Sequence, residues 1–378
     1  MNNVTERRAG PSGYSVLYSF AGSPDGRQPV ATVLDVRGTL FGTTSAGGKH
    51  CYRSSGCGTV FSLTAGGVER ILYSFRNGID GRSPTGALID VKGTLYGTTS
   101  NGGAYGCGEL ACGTVFSITM HGKEKVLHNF GSGTDGANPQ AGLIDVKGTL
   151  YGTTVGGGAY CHGTETCGTV FSITTSGVEK VLHSFGSGTD GAVPIAPLID
   201  VGGTLYGTTF IGGMYGYGTV FSITPGGEET VLYSFGKLPD AHEPGAPLVD
   251  VGGTLYGTTN EGGSQNAGTV FSITTGSAET VLHSFGNVGD GYAPETAGLV
   301  DAGGTLYGTT FDGGAMAGAG TVYSITTGGV ENIVHNFGYG SDGDNPLGGL
   351  IYKNGSLYGT TQFGGGPGRI GTVFSLTP

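Results

Sequence analysis

Apolar residues in this chain come in short runs, each cut off by Gly, Pro or Asp. Runs such as Thr114-Val115-Phe116-Ser117-Ile118 are rich in β-branched and aromatic residues, which suit a pleated strand. They do not alternate cleanly between apolar and polar, as expected of strands packed on both faces. Four such strings recur in step. They are GLIDV (Gly142 to Val146 in one copy), LYGTT, TVFSIT and VLHSF (Val126 to Phe130). GTLYGTT begins at Gly38, Gly93, Gly148, Gly203, Gly253, Gly304 and Gly355, at spacings of 55, 55, 55, 50, 51 and 51. Phe41 replaces Tyr in the first copy and Ser356 replaces Thr in the last. Four strands in a unit of about 50 residues match a propeller blade. The pattern predicts an all-β, seven-bladed β-propeller over residues 14–378, four antiparallel strands per blade, after a disordered tail at 1–13.

Turn residues set the phase. Asp-Val-Lys-Gly, between GLIDV and LYGTT, reads as a tight hairpin from an inner to a second strand. The double Gly after LYGTT, such as Gly102-Gly103, ends the second strand and resembles the double Gly of kelch blades. GLIDV, LYGTT, TVFSIT and VLHSF then run from inside to outside. The chain opens on a fourth strand, Val16 to Phe20, and ends on a third, Thr372 to Thr377. The N-terminal strand can therefore form the outer edge of the last blade and pair an edge left open otherwise. A shifted phase, with Val16 to Phe20 innermost, also fits the strings. The LYGTT, double-Gly, GTVFSIT and SFG…DG…P elements together resemble the GloVer tandem-repeat family of bacterial proteins, over about residues 14–378. That resemblance implies a propeller, often exported or surface-anchored. It implies no established reaction and carries no catalytic residue onto this chain.

Composition agrees with this reading. The chain has 81 Gly and only 12% charged residues. Gly is poorly suited to helix interiors, and without a collagen-like period it serves here as turn punctuation. The net charge of −11, with no Lys/Arg cluster, argues against nucleic acid as a partner. No apolar run approaches the roughly 18 residues of a membrane span. Met1 to Gly13 is polar and lacks the apolar core of a signal peptide. Either the protein is not exported or its leader lies outside this chain. A monomer is expected.

All six Cys fall between the second and third strands of the three 55-residue units, as Cys51/Cys57, Cys107/Cys112 and Cys161/Cys167. The shorter units lack both the insertion and the Cys. One pair per insertion favours local disulfides among the 15 connectivities that six Cys allow. Free thiols and a metal site using His50 or His162 are the alternatives. The metal reading suffers from having two thiols per loop on separate blades. Disulfides imply an oxidising compartment, extracellular, periplasmic or at the cell surface.

The loops that join blades carry Asp-Gly-x-x-Pro, with Asp25, Asp80, Asp135, Asp190, Asp240, Asp290 and Asp342; Ala241 replaces Gly once. This reads as a turn in which Asp accepts backbone N–H bonds, Gly takes positive φ and Pro fixes the exit. Ser-Gly-Thr-Asp-Gly lacks the oxygen ligands of a calcium site; Asp342 and Asp344 make the seventh loop the least poor calcium candidate. The expectation is therefore no cofactor. His128, His183, His283 and His335 share an outer-strand position with Tyr18, Tyr73 and Tyr233. That exchange indicates packing with a polar tip near solvent.

An asymmetric site must use residues that differ between copies. The ligand-binding candidates are Tyr52, Arg53, Tyr105, Glu109, Tyr160, His162, Tyr215, Tyr217, His242, Glu261, Asp312 and Arg369, with His50, Glu165, Glu243, Tyr292 and Glu295 in the same loops. Tyr rings can stack on sugars while carboxylate, His and Arg bond their hydroxyls; the set is also ordinary loop composition. No nucleophile elbow, phosphate loop, dinucleotide fingerprint or HExxH string occurs. Three readings follow. The first is a secreted or cell-surface module binding a glycan or other extracellular polymer. The second is a polysaccharide lyase or glycoside hydrolase with a site over the channel. The third is a structural or protein–protein platform.

Overall fold

The computed structural model describes residues 13–51, 56–105, 112–161, 167–287, 289–295, 297–316, 318–366 and 368–378. Most of the tail expected to be disordered, and part of each Cys loop, lie outside these. Seven four-stranded antiparallel sheets follow one another in the chain. The third blade is typical: Ile144–Val146 pairs with Thr149–Thr154, then Thr169–Thr174, then Glu179–Ser184. The short first strands of neighbouring blades touch one another, which places them around the axis. The last sheet runs Ile351–Lys353, Ser356–Thr361, Thr372–Leu376 and then Tyr14–Ser19. Tyr14 pairs with Leu376 and Ser19 with Thr372, so the N-terminal strand closes the ring from outside and the shifted phase is excluded.

Each string has a local reason. In the inner hairpin, Asp145 Oδ1 accepts from Gly148 N at 2.9 Å, and Lys147 and Gly148 have φ of 56° and 88°. Two successive positive φ values make a hairpin turn whose twist matches the strands. The Gly of LYGTT makes room for the third strand: a Cβ on Gly152 would lie 2.7 Å from the Phe171 ring. The last Thr of LYGTT bonds the first of TVFSIT, as Thr154 to Thr169 at 2.8 Å, while the preceding Thr reaches the next blade, as Thr98 to Ala141 O at 2.8 Å.

Blades adhere through aromatic pairs. Phe130, after the second blade's outer strand, meets Phe171 of the third edge-to-face at 5.0 Å. The same contact recurs at every junction, from Phe75–Phe116 to the closing Phe20–Phe61. At one junction Tyr323 stands where the others have Phe. Apolar clusters follow the same division: one joins Val170 and Phe185 to Phe221 and Ile223 of the next blade. Burial of such rings between rigid sheets is the main stabilisation of the ring.

Candidate functional site

Two loop sets meet on one face. The Asp-Gly-x-x-Pro loop enters a blade and pairs briefly with the loop that follows its second strand. His242 lies opposite Glu261, Tyr292 opposite Asp312 and Asp344 opposite Phe363. The second variable position is left-handed in every copy, including Gln28 at 56°, Val193 at 62° and Glu243 at 58°. Positive φ at the preceding Gly holds for Gly81, Gly136 and Gly191, while Gly26, Gly291 and Gly343 stay outside that region. The expected positive φ of the Gly thus holds in three copies, and every copy adds a left-handed residue just before the Pro, which disfavours a right-handed helical predecessor.

The Asp of this motif accepts backbone N–H groups as expected; Asp135 takes Gly131 N at 3.0 Å. It also takes the outer-strand tip. His128 lies 3.0 Å from Asp135, His183 3.0 Å from Asp190 and His335 2.9 Å from Asp342. Tyr18, Tyr73 and Tyr233 donate to Asp25, Asp80 and Asp240 at 2.9, 3.0 and 3.0 Å. The next blade adds a carboxyl. Glu69, Glu124, Glu179, Glu229, Glu279 and Glu331 each bury Oε1 with no hydrogen-bond partner. Burial first, aided by the neighbouring Asp, pushes the Glu69, Glu124 and Glu279 carboxyls up to about 7. At the closing junction Tyr14 takes the place of Glu and stacks on His335, with centroids 4.2 Å apart. In the sequence the His/Tyr series and the Asp series stand as separate patterns. Their constant separation of seven residues was the available signal.

Beside this seam stand exposed rings. Tyr105, Tyr160 and Tyr215 follow the double Gly of the second, third and fourth blades, and each is about half exposed. Tyr160 and Tyr215 lie over the Gly that ends the outer strand, Gly186 and Gly236. Tyr160, Val181, Leu182, His183, Ser184, Ser187 and Asp190 line an open groove of ≈ 490 Å³. Cys51–Cys57 and Cys161–Cys167 are disulfides with Cα atoms 5.7 and 5.8 Å apart, inside the usual range. Cys107 lies outside the described residues, and its pairing with Cys112 with it. Tyr52, Arg53, Glu109, His162 and Glu165 also lie outside them.

The remaining candidates spread over the fourth to seventh blades. Tyr217 stacks on His242 at 4.1 Å, and the buried His242 Nε2 has no hydrogen-bond partner. Beside it, burial and then Glu261 raise the Glu243 carboxyl. Glu295 is raised by burial and then by Asp312, whose Oδ1 accepts from Asn345 at 3.2 Å. Arg369 pairs with Asp344. Asp342 is held by His335 and Gly343 N.

These features define a closed β-propeller with a loop face braced by disulfides. The model of the Gloeobacter/Verrucomicrobia repeat matches residues 4–166 and 110–317, and the chain belongs to that family. None of the curated proteins matches it in sequence. Among solved structures, it is similar to a puromycin-hydrolyzing peptidase of Mycobacterium tuberculosis, with 12% identity and a TM-score of 0.58, over 98% of this chain and 55% of that one. A puromycin hydrolase matches at 11% identity and TM-score 0.55, over 89% of this chain and 50% of the other. A gluconolactonase from Xanthomonas campestris matches at 13% identity and TM-score 0.48, over 100% and 93%. The chain spans about half the length of the two hydrolases, and at these identities the likeness is one of fold.

Proposed function

We propose that this protein is an exported or cell-surface binding module that holds a glycan through its loop face. The supporting observation is the set Tyr105, Tyr160 and Tyr215, exposed at one loop position of three adjacent blades. Tyr160 walls a groove whose hydroxyls, on Ser184 and Ser187, can bond sugar hydroxyls. A ring held on a braced loop loses little freedom on binding and offers a flat apolar face. The net charge of −11 favours neutral or basic polymers over acidic ones. Disulfides fit an oxidising exterior. Tyr215, in a blade without Cys, extends the binding face beyond the Cys-bearing blades.

A second reading, a polysaccharide-active enzyme, draws on the Glu295/Asp312 pair and its raised carboxyls. A polysaccharide array with oxidised protein separates the two. Binding without turnover supports the module; chain cleavage abolished by Glu295→Gln supports the enzyme. Each of Tyr105→Ala, Tyr160→Ala and Tyr215→Ala should weaken binding by roughly tenfold, the scale of one aromatic contact. Val330→Ala, at an exposed position beside the sixth blade's outer strand, is the control. Unchanged affinity in all three Tyr variants overturns the proposed face.

A further inference from the structure

We propose that the junction between the fifth and sixth blades binds one divalent metal ion of the zinc type through His283, Asp290 and Glu331. His283 is on the fifth blade's outer strand, Glu279–Ser284, Asp290 follows that strand, and Glu331 opens the outer strand of the sixth, Glu331–Asn336. One ligand atom from each lies within 4.8 Å of the others, and His283 Nε2 is 3.2 Å from Asp290 Oδ2. Ligands about 2.0–2.2 Å from a shared zinc ion stand roughly 3.3–3.6 Å apart, so a modest contraction forms the site. Among the described residues, no other group of three such side chains converges this closely.

Charge supplies the physical reason. Glu331 Oε1 is buried without a hydrogen-bond partner, next to the Asp290 carboxylate. Two carboxylates there need a proton, the neighbouring His283 imidazolium or an added cation to balance them. A divalent ion neutralises both and uses the imidazole as its third ligand. An imidazole with two carboxylates suits Zn²⁺ or Mn²⁺ better than Ca²⁺ or Mg²⁺, which prefer all-oxygen sets. A second observation marks the same junction. Tyr323 is wholly buried, and its hydroxyl has no hydrogen-bond partner. The other six blades have Phe at this strand position, so a polar atom is buried where the repeat otherwise has none.

The repeat supplies its own control. Tyr233, at the equivalent position of the fourth blade, gives its proton to Asp240 and so offers no ligand while protonated. His283→Tyr therefore removes the imidazole while keeping a side chain that the seam accommodates. Untagged, oxidised protein is stripped with chelator, then titrated calorimetrically with ZnCl₂ and, separately, MnCl₂; bound metal is counted after dialysis. One site per chain is expected, at least 100-fold weaker in His283→Tyr, at least tenfold weaker in Glu331→Gln, and unchanged in His128→Tyr. Circular dichroism checks that each variant folds, and Glu331→Gln carries the test if His283→Tyr does not. No uptake of either metal by the parent protein overturns the proposal. So does uptake that survives both junction substitutions, or that is lost equally in His128→Tyr.

Discussion

The imidazole Nε2 of His128 sits 3.0 Å from Oδ2 of Asp135, seven residues further along the chain. Tyr73 makes the same 3.0 Å contact to Asp80 in the preceding blade. One acceptor thus serves two unlike donors in the same place.

Exchange between these donors should therefore be nearly neutral, while loss of the acceptor should not. His128→Tyr is expected to change stability by under about 0.5 kcal/mol. Asp135→Ala removes the partner of both His128 and Gly131 N, and should cost about 1–3 kcal/mol. Denaturant unfolding of the two variants checks this; equal losses would refute the equivalence.

The seam also sets a pH dependence. Glu69, Glu124 and Glu279 face Asp25 with Tyr18, Asp80 with Tyr73 and Arg76, and Asp240 respectively, and rise from 4.5 to about 7 in the folded chain. Between these values the unfolded chain releases protons that the folded chain keeps. Their stabilising contribution is full below about 4.5 and is lost as pH rises through about 7. Each tenfold change in proton affinity is worth about 1.4 kcal/mol at most, and much less here because the carboxyls are partly exposed. Melting temperatures taken from pH 4.5 to pH 8 should fall less steeply in the triple Glu→Gln variant than in the parent.

Glycines of one unit should fail for different reasons. Gly152→Ala drives a methyl into Phe171, 2.7 Å from the added carbon, and should cost about 1–3 kcal/mol through overpacking. Gly148→Ala meets open space but holds φ at 88°, so its cost is backbone strain of about 1 kcal/mol. Adding the compensating Phe171→Leu should recover part of the first loss and none of the second.

Reduction should leave the propeller folded. Cys51–Cys57 and Cys161–Cys167 each close a loop with a sequence separation of 6. Closing so short a loop removes about 2–3 kcal/mol of unfolded-chain entropy at most. Circular dichroism of the reduced protein should keep its β signature with a lower melting temperature. Mass mapping of the oxidised form should return these two pairs and Cys107–Cys112.

How much was legible follows from what repeats. Strand identity, blade number and ring closure were readable because GLIDV, LYGTT, TVFSIT and VLHSF are local strings with local causes. Gly152 faces Phe171 in every copy's equivalent, and Asp145 caps its own turn. The chain's opening on a fourth strand and ending on a third left one good edge pairing, Tyr14–Ser19 on Thr372–Leu376. The Cys insertions were legible for the same reason, since both partners lie in one loop. The tertiary structure alone decided what meets across a junction. Glu331 lies 41 residues from Asp290 in the chain, and only the packing of one blade on the next sets their carboxyls beside His283. It also decided that Tyr160 walls a groove while Tyr217 packs on His242, because exposure depends on neighbours that come from other strands and other blades.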